Sequence, residues 1–158
     1  MVLHNGHEFI MSDKTINKEN DPVSLLPKEA WQMMQDNPQA YMIDVRSTME
    51  FLMVGHAAGA MHIPWLDEPD WTPNPRFCAQ VREVMLGGLL GADEDDGPLV
   101  ILMCRSGRRS VEAGRILIES GFKNVYSVAG GFEGPLDQNH QRSASAGWRF
   151  EGLPWQQC

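Results

Sequence analysis

The feature that most constrains the fold of this chain is an apolar run, Leu99–Met103, that leads directly into Cys104 and an arginine-rich loop. Five consecutive apolar residues indicate a strand that is buried on both faces. The segment 111–120, which follows the loop, has helical spacing. The pattern therefore predicts that Cys104 lies at a strand-to-helix turn, where backbone N–H groups and the positive end of a helix meet.

The loop after Cys104 has the composition of an anion-binding site around a nucleophile. Its glycine lets the backbone curl around a ligand, and its arginines oppose the helix dipole unless an anion lies between them and the helix. Such surroundings stabilise the thiolate, which is the nucleophilic form of cysteine. A buried structural cysteine is the alternative, but it needs neither glycine nor arginines. The predicted substrate-binding residues are Arg105, Ser106, Gly107, Arg108, Arg109 and Ser110.

Composition narrows the class of ligand. The 158 residues are enough for one domain with an ordinary core, and the net charge of −8 argues against nucleic acid or an anionic membrane as the main partner. Basic residues are instead concentrated near the cysteine, which favours a small anion as the ligand. Four of the thirteen basic residues lie there, at Arg105, Arg108, Arg109 and Arg115.

The cysteines and the polar first residues bear on metal binding, on domain bounds and on the compartment in which the protein works. Cys78, Cys104 and Cys158 are too scattered for a disulfide framework or a zinc site, so we predict no metal and no cofactor. Residues 1–22 are polar and are predicted to form a mobile tail ahead of a domain at 23–158. The chain has no apolar segment of signal-peptide or membrane-spanning length, so we expect a reducing cytoplasm.

Hydrophobic periodicity predicts an alternation of helices and strands. Helices are expected at 24–37, from Asn74 through Met85 with Gly87-Gly88 ending it, and at 111–120 with Gly121 ending it, and buried strands at 41–45, 99–103 and 125–128. A capping box from Ser47 to Glu50 predicts a further short helix at 51–54 that stops at Gly55. This alternation predicts an α/β fold with a central, mostly parallel sheet covered by helices on both faces. Ligands of such folds bind beyond the carboxyl ends of the strands, which is where Cys104 lies.

Taken in order, the motifs of the chain resemble those of a single-domain rhodanese over about residues 23–155. They are Asp44-Val-Arg46, Glu50, Gly55-His56, Gly59-Ala-Met-His62-Ile-Pro64, the loop after Cys104, Gly121-Phe-Lys-Asn-Val-Tyr126, Gly130-Gly131 and Trp148-Arg-Phe-Glu-Gly152-Leu-Pro154. The resemblance implies a rhodanese-like fold. It also implies that Cys104 accepts sulfur, that Arg109 stands where a sulfonate is often contacted, and that Asp44 and Arg46 order the loops near the site.

The activity that the resemblance implies is that of a thiosulfate sulfurtransferase. The thiolate of Cys104 would take the outer sulfur of thiosulfate or a similar small anionic donor, sulfite would leave, and a persulfide would remain on the cysteine. A second nucleophile would then remove that sulfur. It would be cyanide in an assay, and a thiol or a sulfur-carrier protein in the cell.

Two other functions stay open at this point. Phosphatases and arsenate reductases related to rhodanese place five residues between cysteine and arginine, whereas that arginine position is Ser110 here and Arg109 comes one residue early. Non-catalytic rhodanese-like binding modules typically lack the cysteine. One departure from the family pattern is a segment at about 134–147, which we interpret as a surface loop inserted before a last helix.

Overall fold

The computed structural model describes residues 20–90 and 97–158. Its strands are β1 (Val23–Leu25), β2 (Ala40–Asp44), β3 (His56–Ala57), β4 (Met61–His62), β5 (Leu99–Met103), β6 (Val125–Val128) and β7 (Trp155–Gln156). Five of them form a sheet in the order β1-β6-β5-β2-β4, and every pairing in it is parallel. Strands β3 and β7 form a separate antiparallel pair. The predicted α/β class with a parallel central sheet is confirmed.

Helices cover both faces of this sheet. They are α1 (Pro27–Asp36), α2 (Phe77–Leu90) and α3 (Arg108–Glu119), together with a π-helical turn at Glu50–Val54. Successive residues of β5 point to opposite faces, so this one strand contributes to two buried clusters. Val100 and Leu102 pack with α2 and α3, whereas Ile101 and Met103 pack with α1. Burial on both faces explains why β5 is a continuous apolar run.

The first helix begins later than the sequence predicts. Residues 23–25 form β1, and Ser24 pairs with Ser127 of β6. The prediction of a helix from residue 24 was wrong because a three-residue edge strand, with Val23 and Ser24 exposed, has no apolar pattern to reveal it. Helix α1 starts at Pro27, where the fixed proline backbone suits the first helical position and the Glu29 carboxylate accepts a hydrogen bond from the Leu26 N–H.

Two predicted helix ends also differ from the structure. Helix α2 was expected to stop at Gly87, but it continues to Leu90, since glycine inside a helix costs only about 1 kcal/mol. The predicted last helix is absent from the described residues after 134, where turns at 148–152 lead into β7. Gly147 and Gly152, which have positive φ angles of 108° and 76°, lie so close together that the residues between them complete little more than one helical turn.

Other local signals were correct. Gly121, at φ 106°, ends α3, and the Phe122 N–H donates to the Leu117 carbonyl as the chain folds back. The Ser47 hydroxyl accepts a hydrogen bond from the Glu50 N–H, while the Glu50 carboxylate accepts one from the Ser47 N–H. This capping box precedes the π-helical turn, which Gly55 terminates at φ 112°.

The structure also describes the end of the predicted tail and the predicted inserted loop. Of the predicted mobile tail at 1–22, residues 1–19 lie outside the described part of the chain, while Asp21 pairs with Arg115 at 2.6 Å and Pro22 packs over Gly114. Within the segment 134–147, the Asp137 carboxylate accepts hydrogen bonds from the N–H groups of Asn139 and Gln141. No helix among the described residues is long and apolar enough to cross a bilayer.

Gly131 provides a test of how the fold holds the cysteine loop. Its φ is 63°, and an added Cβ would lie 2.6 Å from the Arg105 carbonyl oxygen and closer still to that of Cys104. We expect Gly131→Ala to lower the free energy of unfolding by about 1–2 kcal/mol for the left-handed backbone and a further 1–3 kcal/mol for the overlap. Urea unfolding measures the loss.

The matched control for this substitution is Gly121→Ala. Gly121 also has a left-handed φ, but no atom lies within 4 Å of its added Cβ, so only the backbone term applies. Equal losses of stability in the two variants would contradict the close packing of Gly131 on the loop.

Candidate active site

Cys104 occupies the turn between the central strand and a helix, as predicted. It follows β5 directly, and α3 begins four residues later at Arg108. Its surface is 1% exposed, and its Sγ accepts a hydrogen bond from the Gly107 N–H at 3.0 Å. Gly107 has φ 110°, a conformation that glycine adopts without strain and that turns this N–H towards the sulfur. The helix N-terminus and this amide both favour negative charge on Sγ.

A pair of buried hydroxyls lies against the other side of the sulfur. Ser110 Oγ lies 3.4 Å from Cys104 Sγ and 2.6 Å from Ser127 Oγ, and both serines are buried. The Ser110 hydroxyl accepts a hydrogen bond from the Cys104 thiol and donates one to the Gly107 carbonyl at 3.3 Å. Ser127 was not singled out from the sequence. The available signal was a hydroxyl inside an otherwise apolar strand, β6.

The chain after β6 clamps the start of the cysteine loop. The Phe132 N–H donates to the Cys104 carbonyl at 2.8 Å, and the Glu133 N–H donates to the Arg105 carbonyl at 2.9 Å. Gly131 permits this approach because a side chain there would overlap both carbonyls. The start of the loop is therefore anchored by hydrogen bonds of its backbone rather than of its side chains.

Asp44 and Arg46 form a fully buried ion pair at the end of β2. The guanidinium donates to both carboxylate oxygens, at 2.9 and 2.7 Å, and to the Gly55 carbonyl at 2.6 Å. Its centre lies 4.6 Å from the centroid of the Phe132 ring. Among the described residues, one nitrogen of Arg46, Nη1, has no hydrogen-bond partner. The pair thus joins β2 and the end of the π-helical turn to the segment that clamps the loop.

Arg109 is paired with Glu50 by two parallel hydrogen bonds of 2.7 and 2.8 Å. Burial raises the pKa of Glu50, but hydrogen bonds from Arg109 and the Ser47 backbone outweigh it and lower this pKa from 4.5 to about 2. The same hydrogen bonds to Glu50 raise the pKa of Arg109. This partner was missed in the sequence, where Glu50 was interpreted only as part of a capping box and of a family motif.

A cavity of about 480 Å³ opens beside the loop. Loop residues Arg105 and Arg109 contribute to its lining, and Arg105 is exposed. Arg108, which is exposed at the start of α3, and Ser106, which is half-buried, are not among the residues that line the cavity. Arg115, predicted as part of the basic concentration, lies farther along α3 and is paired with Asp21. The other residues that line the cavity are Ser47, Met49, Glu50, Met53, Val54, Glu68 and Trp71.

The other two cysteines lie in different surroundings from Cys104. Cys78 is half-buried and packs against the core, and Cys158 is exposed. Within residues 20–90 and 97–158, no group of three or more histidine, cysteine or carboxylate side chains is placed to hold a metal ion.

The fold and this loop define a family. Residues 26–138 match the family described as Rhodanese-like domain, and the chain belongs to that family. The predicted resemblance to a rhodanese is therefore confirmed.

Relatives of the chain include proteins with and without a stated activity. A protein of Rickettsia conorii, RC0915, is 30% identical over 134 residues, which are 81% of this chain and 92% of that protein. Thiosulfate sulfurtransferase GlpE of Haemophilus influenzae is 32% identical over 110 residues, which are 70% of this chain and 84% of GlpE.

The chain is also similar to proteins whose structures have been solved. Rv0390 from M. tuberculosis has a TM-score of 0.70 and 37% identity, and the alignment covers 85% of this chain and 97% of that one. A polysulfide-sulfur transferase homodimer from Wolinella succinogenes has a TM-score of 0.57 and 25% identity, with 97% and 93% covered.

The Glu50–Arg109 pair should make stability depend on acid pH. Because the pKa of Glu50 is lower in the folded state than in the unfolded chain, its ionised form stabilises the fold above about pH 4.5. That contribution is lost as the pH falls from 4.5 towards 2. We expect Glu50→Gln to be less stable than the parent at pH 7, with the two converging near pH 2, as measured by urea unfolding across pH.

Glu83→Gln is the control for this experiment. Glu83 also pairs with an arginine, Arg76, but both side chains are 62% exposed, so their interaction is screened by water. A stability difference for Glu50→Gln that stays constant from pH 7 to pH 2 would contradict the assigned pKa.

Proposed function

We propose that this protein is a sulfurtransferase that carries sulfane sulfur on Cys104. The observation that carries the proposal is the Cys104 sulfur itself, which accepts a hydrogen bond from the Gly107 amide at the start of a helix. Arg109 is close enough to Cys104 for its positive charge to interact with the sulfur and to favour a negative charge there. Similarity to GlpE and to the Wolinella polysulfide-sulfur transferase supports the same class of reaction.

The reaction proceeds in two transfers. The Cys104 thiolate attacks the outer sulfur of thiosulfate, a new S–S bond forms, and the old S–S bond breaks so that its electron pair leaves with sulfite. The product is a persulfide anion on Cys104. A thiolate needs no general base, which agrees with a loop that contains no histidine. In the second transfer an acceptor nucleophile attacks the outer persulfide sulfur and restores the thiolate.

The residues around Cys104 have distinct roles in this proposal. The loop Arg105 to Ser110 binds the donor and then the persulfide, while Asp44 and Arg46 hold the loops in place. The partners are a small anionic sulfur donor and a thiol or sulfur-carrier protein as acceptor, with no nucleic acid and no membrane. A reducing cytoplasm is the proposed location, because it keeps Cys104 from being oxidised to a disulfide between turnovers.

Phosphoryl transfer is disfavoured by Ser110. A phosphatase loop of this kind has arginine at that position, but here the side chain is a buried hydroxyl bonded to Ser127. Arg109, one residue earlier, is held by Glu50.

Intact-mass measurement tests the proposed role of Cys104. Incubation with thiosulfate should add the mass of one sulfur atom, and cyanide should remove it as thiocyanate. Cys104→Ser should not load sulfur, whereas Cys158→Ser, which removes an exposed thiol, should load it as the parent does. Sulfur loading of Cys104→Ser at the parental rate would sink the assignment.

Arg109 should matter for binding the anionic donor. Arg109→Ala leaves the Glu50 carboxylate unneutralised beside the loop and removes a charge-assisted donor of hydrogen bonds, so KM for thiosulfate should rise about tenfold or more. Steady-state kinetics measure this change. Arg115→Ala is the control, since Arg115 lies farther along α3 and pairs with Asp21. Equal KM values for the two variants would contradict the proposed role.

A further inference from the structure

The cysteine loop presents two arginines that are not neutralised by a carboxylate. Arg105 and Arg108 are exposed, and neither forms an ion pair with a residue at 20–90 or 97–158. Glu112, four residues after Arg108 on the same helix, instead accepts a hydrogen bond from Trp65 Nε1 at 2.7 Å. The other two arginines of this region are each held by a carboxylate. We call Arg105 and Arg108 the basic rim.

The inserted loop begins and ends beside the basic rim. At its first residue, the Gly134 N–H donates to the Arg105 carbonyl at 3.2 Å. At its last residue, the Gly147 nitrogen lies so near Gly130 that a Cβ there would be 3.6 Å away. The Gly130 nitrogen would in turn lie 3.4 Å from a Cβ on Gly107, the residue that precedes α3. The loop therefore extends the surface around the rim.

The inserted loop adds no charge that opposes the basic rim. Asp137 is its one carboxylate in the sequence, and this carboxylate accepts hydrogen bonds from two backbone N–H groups of the loop. Arg142 donates to the Gly134 carbonyl at 2.8 Å, so the loop also fixes a third cation near the rim. The combined surface is basic on a chain whose net charge is −8.

This surface is larger than a small sulfur acceptor needs. Arg108 does not line the cavity beside the loop, so a molecule confined to that cavity leaves Arg108 unused. Cys104 is only 1% exposed, so an acceptor has to bring its thiol past the rim to reach the sulfur. A thiol that protrudes from a larger acidic body meets both conditions. Such a body is attracted at the rim and repelled by the acidic remainder of the chain, which orients it.

We propose that the basic rim and the inserted loop form the docking surface for a protein acceptor whose thiol is flanked by carboxylates. This inference rests on the proposed sulfurtransferase function and names its class of acceptor. The acceptor thiolate attacks the outer sulfur of the Cys104 persulfide, and an S–S bond forms between them. The bond from that sulfur to Cys104 Sγ breaks, and its electron pair stays on Cys104 as a thiolate. The total charge is the same on both sides of the reaction.

Two peptides that differ only in the charge beside their thiol test the proposal. They are Gly-Glu-Cys-Glu-Gly and Gly-Gln-Cys-Gln-Gly with blocked ends, each mixed with protein already loaded with sulfur. Intact mass follows the loss of the persulfide, and the ratio of the two transfer rate constants reports the effect of the carboxylates. Those carboxylates also change the pKa of the peptide thiol, but equally for every protein variant. Comparing the acidic-to-neutral ratio between variants therefore cancels this effect.

Charge substitutions on the surface should lower this ratio in a graded way. At low ionic strength we expect a fall of about threefold in Arg108→Gln and about tenfold in Arg108→Glu, because the attraction is first removed and then reversed. Gln138→Glu, which places a carboxylate at an exposed position of the inserted loop, should lower it about twofold. The differences should shrink as the ionic strength is raised to about 1 M, where the Debye length is about 3 Å.

Lys123→Glu is the matched control. Lys123 is also exposed, but it precedes β6, whereas Cys104 follows the carboxyl end of the parallel strand β5. The two residues therefore lie at opposite edges of the sheet, and this variant should retain the parental ratio. A parental ratio in Arg108→Glu or in Gln138→Glu overturns the proposal, and so does an equal fall in Lys123→Glu.

RNA is the other acidic polymer that a basic surface attracts, and the net charge of −8 disfavours it. The peptide Gly-Glu-Ser-Glu-Gly, which has no thiol, should therefore slow transfer to the acidic peptide more than an RNA oligonucleotide at equal charge concentration. Stronger competition by the oligonucleotide overturns the assignment to a protein. Failure of the proposed function is a separate result, in which the parent acquires no sulfur on Cys104 from thiosulfate.

Discussion

The buried guanidinium of Arg46 is the contact on which the arrangement of the site depends. A charge removed from water must be compensated within the protein, and Asp44, the last residue of β2, supplies the opposite charge. The same guanidinium donates a hydrogen bond to the Gly55 carbonyl and lies over the ring of Phe132. Phe132 in turn holds the Cys104 carbonyl through its backbone. A single charged side chain thus connects three segments that approach one another only in the folded chain.

Electrostatics near the sulfur are divided between backbone and side chains. The Gly107 amide and the end of α3 stabilise negative charge at fixed positions, and this contribution does not require any arginine to be unpaired. Arg109 can therefore be committed to Glu50, where it joins the loop to the π-helical turn. Of the three arginines in the loop, Arg109 is thus neutralised by a carboxylate, while Arg105 and Arg108 are exposed.

Local patterns predicted most of the fold. The apolar run of β5, the glycine at the end of α3 and the capping box of Ser47 each have a local physical cause, and each appeared in the structure. Strand β1 did not, because its pairing with β6 depends on residues distant in sequence. The chain beyond residue 147 was missed for a similar reason, since β7 exists only by pairing with β3.

The candidate site could likewise be predicted only where its residues are neighbours in the sequence. The turn that contains Cys104, and its glycine and arginines, could be predicted because they are contiguous in the sequence. The partners Ser127, Glu50 and Trp71 could not, because each comes from another element and no single sequence records which side chains meet. Ser127 left a faint signal as a hydroxyl in an apolar strand, whereas nothing in the local sequence distinguishes Trp71 as the wall of a cavity.

The clamp on the cysteine loop has a consequence for how the protein matures. Cys104 leaves the ribosome before Ser127 and Phe132, and closing the chain between them carries an entropic cost that must be met before the contacts form. In a nascent chain the cysteine loop therefore lacks both of these contacts, which form only when β6 has paired with β5. The surroundings of Cys104 are consequently completed by the strand of the central sheet that is synthesised last.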